Sequence, residues 1–273
     1  MSLPPILQNL RLPVIGAPLF IVSNPKLVIA QCKAGVVGSF PALNARPASQ
    51  LDEWMHEITE ALAEHDRNHP DAPAAPFAVN QIVHRSNDRF ARKAIEKGAD
   101  GLIAVASGAG GHAGRWSPFA LIHEIRRWFD GPLALSGAIA TGEAVLAAQA
   151  MGADLAYVGS AFIATHEARA SDEYKQAIVT SSAADIVYSN LFTGIHGNYL
   201  RSSIVAAGLD PDNLPQPGAE AMNFQSATGA KAWRDIWGSG QGVGAVDNVM
   251  PAAELVAKLF EEYRAAKAKL CAS

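Results

Sequence analysis

Cysteine is scarce in this sequence of 273 residues, which contains only Cys32 and Cys271. Neither cysteine lies in a Cys-x-x-Cys pair, and the histidines share no metal-ligand spacing with a cysteine or a carboxylate. Disulfide frameworks and structural zinc sites both need several closely spaced ligands. We therefore expect neither a disulfide scaffold nor a metal site.

The sequence also lacks a basic cluster and a long apolar run. Its 22 Lys and Arg residues are outnumbered by 26 Asp and Glu residues, and no Lys/Arg stripe suited to a phosphate backbone is present. No apolar run approaches the ~18 residues of a membrane span, and residues 1–20 lack the pattern of a secretory signal. We expect a cytoplasmic protein that binds neither nucleic acid nor membrane.

What the sequence does contain is a series of short apolar runs that alternate with helix-like segments. The runs are continuous rather than alternating, which is typical of strands buried on both faces of a parallel sheet. Strict alternation of strand and helix predicts an α/β fold. The predicted strands lie at 12–17, 35–39, 77–83, 101–106, 132–137 and 155–160, and the predicted helices at 25–33, 51–65, 88–97, 118–128 and 141–151.

Two β/α units share one pattern, in which a helix end is followed by Gly-Ala-Asp and a buried strand. The pattern occurs at Gly98-Ala99-Asp100 and again at Gly152-Ala153-Asp154. Such repetition favours a TIM-barrel-like (β/α) barrel over an irregular sheet. The alternation stops after residue 165, and we predict a small, mainly helical lid or substrate domain over 166–249. A final helix is predicted to pack back on the main domain, which therefore comprises 1–165 plus 250–273.

A glycine-rich loop directly after the fourth run carries the most informative pattern. Four glycines in seven residues, at positions 108–114, let the backbone approach a planar or anionic ligand. His112 within this loop can accept a proton near neutral pH. A flexible turn with a solvated histidine is the alternative.

Two later loops predict an anion site. Ser136-Gly137 and Gly159-Ser160 each follow an apolar run, and neither loop contains Lys or Arg. Loops after the last strands of a barrel commonly bind phosphate, so we expect backbone amides and hydroxyls to hold the anion here.

Two further segments are weaker candidates. The glycines at 240–244 look like a dinucleotide fingerprint, but they follow no predicted strand and open no predicted helix, so we reject that interpretation. His196 lies among small and aromatic residues of the predicted lid. Either it faces the pocket or it has a structural role, and we favour the structural role.

Five segments, taken together and in order, resemble the nitronate monooxygenase family, formerly called 2-nitropropane dioxygenases. The similarity extends over nearly the whole chain. The matching segments are Gly16-Ala17-Pro18-Leu19, Phe77-Ala78-Val79-Asn80, Ala109-Gly110-Gly111-His112-Ala113-Gly114, Ser136-Gly137-Ala138-Ile139-Ala140-Thr141-Gly142 and Gly152-Ala153-Asp154-Leu155-Ala156-Tyr157-Val158-Gly159-Ser160.

The resemblance implies an FMN-dependent barrel enzyme that oxidises alkyl nitronates or nitroalkanes with molecular oxygen. It assigns His112 as the catalytic base that removes the proton next to a nitro group. Ala17 and Pro18 would line the isoalloxazine ring, and Asn80 would form a hydrogen bond with the flavin. The full set of residues implied to bind FMN is Ala17, Pro18, Asn80, Gly110, Gly111, Ser136, Gly137, Gly159 and Ser160.

The sequence also departs from the family pattern. Val105 stands where many members have Gln, and Gly108 stands where many have Glu. Between residues 87 and 88 two β/α units are missing, about sixty residues at roughly 31 per unit. The remainder would form a tighter six-stranded barrel, an open sheet with unpaired edges, or a barrel closed by a second chain.

Two alternative functions are left open by the sequence. One is an NAD(P)H-dependent flavin reductase of the quinone or enoyl-thioester type, and the other is a catalytically impaired deletion variant of the family. Whether copies of the chain form a homo-oligomer is also left open.

Overall fold

Parallel strands and intervening helices form most of the computed structural model, which describes residues 3–47, 49–80, 95, 98–215 and 234–272. The strands are β1 (Val14–Gly16), β2 (Gly38–Pro41), β3 (Phe77–Asn80), β4 (Leu102–Val105), β5 (Gly111–His112), β6 (Leu133–Ser136), β7 (Leu155–Val158), β8 (Ile186–Ser189) and β9 (Gly197–Leu200). The helices are α1 (Pro25–Lys33), α2 (Gln50–Asn68), α3 (Pro118–Arg126), α4 (Gly142–Ala150), α5 (Ser160–Ile163), α6 (Asp172–Thr180), α7 (Arg201–Ala206) and α8 (Ala252–Cys271).

These elements agree with the predicted alternation. Each of the six predicted apolar runs contains or overlaps a strand, and four of the five predicted helices are present within a few residues of their expected bounds. The fifth predicted helix, 88–97, lies outside the described residues apart from position 95, as does the end of the third predicted strand. Within the described chain, no helix combines the length and the apolar content needed to cross a bilayer.

Strands β1 to β4, β6 and β7 form one parallel series. β1, β7, β6 and β4 are hydrogen-bonded in that order, and β2 pairs with β3. A parallel bridge between Ile15 and Val37 joins the two sheets. The resulting order is β3-β2-β1-β7-β6-β4, which confirms the α/β fold.

The series ends at β3 on one side and β4 on the other, and these two described strands do not pair with each other. In the terminal strand β4, Ile103 and Val105 are 47% and 41% exposed, whereas all four residues of the interior strand β2 are buried. The described strands therefore form an open sheet and not a closed six-stranded barrel. Its two edges flank the position where the sequence is expected to lack two β/α units.

Local signals explain where two of the helices begin. Asn24 Oδ1 accepts hydrogen bonds from the backbone N–H groups of Lys26 and Leu27, and Pro25 occupies the first turn of α1. The Thr141 side chain caps α4 by accepting from Ala144 N–H. Both caps satisfy amides that have no acceptor within their own helix, so each strand-to-helix loop ends at a defined residue.

The aspartate of the repeated Gly-Ala-Asp phrase has a structural role. Asp154 Oδ2 accepts a hydrogen bond from Leu133 N–H at 2.8 Å and forms an ion pair with Arg126 at 2.7 Å. The Arg126 guanidinium also donates to the carbonyl groups of Gly131 and Gly152. This network ties α3 to the amino-terminal ends of β6 and β7, opposite the candidate site.

The C-terminal helix α8 packs against α4. Gly142 N–H donates to Glu262 Oε2 at 2.8 Å, and the Tyr263 hydroxyl donates to Gln149 Oε1 at 2.6 Å. Both bonds join α4 to α8, so α8 is part of the main fold.

The region predicted as a lid contains helices α6 and α7, but it also contains an antiparallel sheet that the sequence did not reveal. β9 lies between β8 and β5 in this sheet. Because β5 is only two residues long and belongs to the loop after β4, its pairing is a long-range contact with no local signature. The sheet connects the candidate catalytic loop to residues 186–200.

Gln31 on α1 is fully buried, and neither its Oε1 nor its Nε2 has a hydrogen-bond partner among the described residues. A buried amide without hydrogen-bond partners lowers the free energy of unfolding by about 1–3 kcal/mol. Gln31→Met keeps the unbranched shape, so we expect it to raise the free energy of unfolding by about 1–2 kcal/mol, measured by urea denaturation. The matched control is Gln149→Met, which removes the acceptor of the Tyr263 hydroxyl and should lower stability. A lower unfolding midpoint for Gln31→Met would contradict this prediction.

Candidate active site

A cavity of about 520 Å³ opens at the carboxyl ends of the parallel strands. Its walls come from the loops that follow β1, β4, β6 and β7, and from residues 238–242. Ligands of α/β folds bind at this end because successive loops converge there.

Nine of the ten predicted site residues line this one cavity. Asn80 is the exception, since it ends β3 opposite Pro41 in the sheet and is absent from the described cavity wall. The residues that share the cavity are Ala17, Pro18, Gly110, Gly111, His112, Ser136, Gly137, Gly159 and Ser160.

His112 lies in β5, where it pairs with Gly197 of β9. His112 lines the cavity, and its Nε2 lies 3.1 Å from Thr193 Oγ1. Partial burial lowers the pKa of His112 below its usual value of about 6.5. This shift favours the neutral imidazole, the form that accepts a proton.

The loop that carries His112 is fixed at several points. Ser107 N–H donates to Trp116 O at 2.8 Å and closes the base of the loop. Asn198, a buried residue of β9, donates through Nδ2 to Ala109 O at 2.7 Å. These contacts and the β5–β9 pairing hold the loop in one arrangement, which argues against a flexible turn, while His112 itself is exposed.

The loops after β6 and β7 present hydrogen-bond donors to the cavity. The backbone N–H groups of Gly137, Gly159 and Ser160 have no acceptor within the described part of the chain. The Ser160 hydroxyl accepts a hydrogen bond from Gly240 N–H at 2.8 Å, which leaves its own proton to donate. Such a group of donors suits an anion.

The glycines at 238–242 are the site residues that the sequence interpretation missed. Gly238, Gly240 and Gly242 line the cavity. The sequence analysis rejected a dinucleotide fingerprint in this segment because no predicted strand precedes it and no predicted helix follows it. A Cβ at Gly240 would lie 2.6 Å from Gly108 O, and one at Gly110 would lie 2.7 Å from Gly240 N. The two glycine-rich loops are therefore in backbone contact. The run of glycines was the sequence signal that could have identified this part of the cavity wall.

The remaining wall is mainly apolar. Leu19, Phe20, Val22 and Ile163 line it, which suits a flat, weakly polar ring system. Tyr174 also lines the cavity and donates its hydroxyl proton to Gly238 O. Burial raises the pKa of Tyr174, so this phenol stays protonated and holds the glycine segment in place.

His196 stays outside the cavity wall that the described residues form. Its ring stacks on Tyr188 at a centroid distance of 5.0 Å, and its carbonyl accepts from Ala113 N–H at 3.1 Å. These contacts support the structural role that we favoured. No group of three or more His, Cys, Asp or Glu side chains in the described ranges is placed to hold a metal ion.

The nitronate monooxygenase family model matches residues 79–262, which include the His112 loop, both loops after β6 and β7, and the glycine segment. The chain belongs to the nitronate monooxygenase family. The family prediction and the predicted enzyme class, an oxidoreductase of the nitronate monooxygenase type, are both confirmed.

Relatives in this family match at low identity. A nitronate monooxygenase of Paraburkholderia phytofirmans is 26% identical, with 92% of each chain covered. One of Pseudomonas aeruginosa is 28% identical over 61% of this chain and 52% of its own length, so that match spans about half of the relative. The first alignment runs over 340 positions, so the relative has stretches with no counterpart in these 273 residues.

Two solved structures share the fold. FabK from Thermotoga maritima superposes with a TM-score of 0.72 at 21% identity, covering 98% of this chain and 97% of that one. Nitroalkane oxidase from Streptomyces ansochromogenes gives a TM-score of 0.71 at 21% identity, covering 94% and 97%. At this identity the likeness establishes a TIM-barrel-like α/β architecture, and function depends on the site.

Proposed function

We propose that this protein is an FMN-dependent enzyme that oxidises alkyl nitronates with molecular oxygen, and that His112 extends its range to neutral nitroalkanes by removing their acidic proton. The observation that carries the proposal is the placement of His112, and of backbone amides with no acceptor among the described residues, on the walls of one largely apolar cavity.

The residues present fit FMN. The N–H groups of Gly137, Gly159 and Ser160, with the Ser160 hydroxyl, would hold the phosphate, while Ala17 and Pro18 would line the ring. Gly137 allows its loop to pack closely on the loop after β4, because a Cβ there would lie 2.8 Å from Ser107 O. Asn80 is not among the described residues of the cavity wall, so its hydrogen bond with the flavin stays a prediction. When bound, FMN supplies the electron acceptor and the reaction with oxygen.

His112 handles the proton in this scheme. A neutral nitroalkane must lose a proton from the carbon that bears the nitro group before it becomes a nitronate. A neutral imidazole on the cavity wall accepts that proton, and the bonding electron pair stays on the substrate as nitronate. Preformed nitronates need no such step. Comparing the activity on the two substrate forms therefore measures proton removal by His112 separately from the oxidation of the nitronate.

The proposal is tested by flavin reconstitution and two substrates. The purified protein, incubated with FMN and desalted, should retain the flavin absorbance near one equivalent and consume oxygen with propionate 3-nitronate or nitroethane. A protein that takes up no FMN would contradict the proposal. Anaerobic bleaching by NADH without nitronate would identify a flavin reductase instead, and stoichiometric FMN with no turnover would identify an impaired variant.

The pH dependence follows from the lowered pKa of His112. Activity on neutral nitroethane needs the unprotonated imidazole, so kcat/KM should stay level from pH 7.5 down to about 6.5. Below the His112 pKa it should fall about tenfold per pH unit. Initial rates in buffers of constant ionic strength measure this. A midpoint above pH 6.5 would show that burial does not control the base.

A further inference from the structure

The loop after β1, residues 17–23 and called the β1 loop below, forms an apolar wall of the cavity. Its lining residues are Ala17, Pro18, Leu19, Phe20 and Val22. Ile21 lies between two of them, but it is absent from the described lining and is 40% exposed. The backbone at Ile21 therefore determines whether Phe20 and Val22 can line the cavity together.

Ile21 has an uncommon backbone conformation. Its φ of +64° lies in the left-handed region, which is sterically unfavourable for a β-branched residue. A residue persists in such a conformation only where the surrounding structure holds it there. The contacts of the β1 loop show which group does so.

Asn44, which lies just after β2, makes three hydrogen bonds to the β1 loop. Its Oδ1 accepts from Ile21 N–H at 2.9 Å. Its Nδ2 donates to Leu19 O at 3.0 Å and to Ser23 O at 2.9 Å. These partners fix the orientation of the amide, because a backbone N–H can only donate and a carbonyl oxygen can only accept. One side chain therefore holds the turn on both sides of Ile21.

The ends of the β1 loop are fixed by other bonds. Ala17 N–H donates to Val158 O at 2.8 Å, and Val22 O accepts from Arg169 N–H at 2.9 Å. Among the described residues, Asn44 is the hydrogen-bond partner of the Ile21 amide. Leu43, the neighbour of Asn44, lines the cavity itself. The middle of the β1 loop is therefore held from the segment after β2.

We propose that Asn44 is a positioning residue that keeps Ile21 in the left-handed conformation and thereby shapes the β1 loop into the wall on which the flavin ring packs. This inference rests on the proposed function for the identity of the ligand. Without the Asn44 amide, Ile21 relaxes to a negative φ, and the chain takes a different path through Phe20 and Val22. The cavity then fits a flat ring less well, although none of its described lining side chains has been replaced.

FMN affinity, measured by titration of flavin fluorescence, tests this role. Asn44→Ala should raise the Kd for FMN by about fivefold or more, which corresponds to at least one lost hydrogen bond. The matched control is Asp66→Ala. Asp66 Oδ1 also accepts from a loop amide, that of Ala74, but both residues lie outside the described cavity wall. The control should leave the Kd unchanged.

A second substitution tests whether Asn44 acts through Ile21. Glycine adopts a positive φ without steric cost, so adding Ile21→Gly to Asn44→Ala should lower the Kd again by about threefold or more. Ile21→Gly alone should not lower it, because Asn44 already holds the turn in the native protein. A smaller rescue, or an equal gain in the single variant, would overturn the positioning role.

Hydrogen exchange of the flavin-free protein gives a readout that needs no ligand. The Ile21 amide should be protected in the native protein, and Asn44→Ala should speed its exchange by about tenfold. This result in a protein that binds no FMN would support the role of Asn44 while the proposed function fails. Unchanged exchange, or a Kd raised by less than about fivefold, would overturn the inference. Should Asn44→Ala not fold, an unprotected Ile21 amide in the native protein would still overturn it.

Discussion

His112→Asn is expected to lower kcat/KM for neutral nitroalkanes by about 10²–10⁴-fold, the usual contribution of a general base. The physical reason is that asparagine has no site that accepts a proton near pH 7, although it occupies similar space on the cavity wall. Oxidation of preformed nitronates requires no proton removal, so it should fall far less. Steady-state oxygen uptake with nitroethane and with its nitronate measures both effects.

His196→Asn is the matched control for this substitution. His196 lies near the same loop but packs on Tyr188 outside the described cavity wall. The control should therefore leave the ratio of the two activities unchanged. Equal losses of nitroalkane and nitronate oxidation in His112→Asn would show that His112 binds or organises the site without acting as the base.

Gly142→Ala is expected to lower the free energy of unfolding by about 3 kcal/mol. An added Cβ would lie 2.2 Å from both Leu259 O and Tyr263 N. These are backbone atoms of α8, so the clash cannot be relieved by a side-chain rotation. Alanine has a higher helix propensity than glycine, by about 1 kcal/mol. This gain is too small to offset the clash, which would push α4 and α8 apart and weaken the hydrogen bond from Gly142 N–H to Glu262.

Gly244→Ala is the control for the helix contact. A Cβ there would meet only Ser182 Cα at 3.8 Å, an ordinary van der Waals distance. Urea unfolding of both variants by circular dichroism tests the prediction, and only Gly142→Ala should shift the midpoint strongly. Equal midpoints for the two variants would mean that α8 is not held against α4 at this glycine.

Much of the architecture was predictable because its signals are local. The continuous apolar runs predicted buried parallel strands, and the caps at Asn24 and Thr141 lie where strand-to-helix loops end. The Gly-rich loops after β4, β6 and β7 were recognised in order, and they converge on one cavity. Each of these inferences depends on neighbouring residues along the chain.

Other features depend on contacts between distant segments. The antiparallel pairing of β5 with β9, the bond from Thr193 to His112, and the contact between Gly110 and Gly240 have no local pattern. Asn80 shows the reverse case, since its motif matched the family but its position in the described fold is off the cavity wall.

The amino-acid pattern alone was therefore enough to predict the α/β class, because composition and periodicity report local conformation and burial. The family and the candidate base came from the resemblance of five short motifs. Only the folded chain decided that the described strands leave the sheet open between β3 and β4 and that the glycines at 238–242 line the cavity. It also decided that the Thr193 hydroxyl lies within hydrogen-bond distance of His112. Pairing across 80 or more residues depends on the complementary shape and hydrogen bonding of whole segments, which no short stretch of sequence encodes.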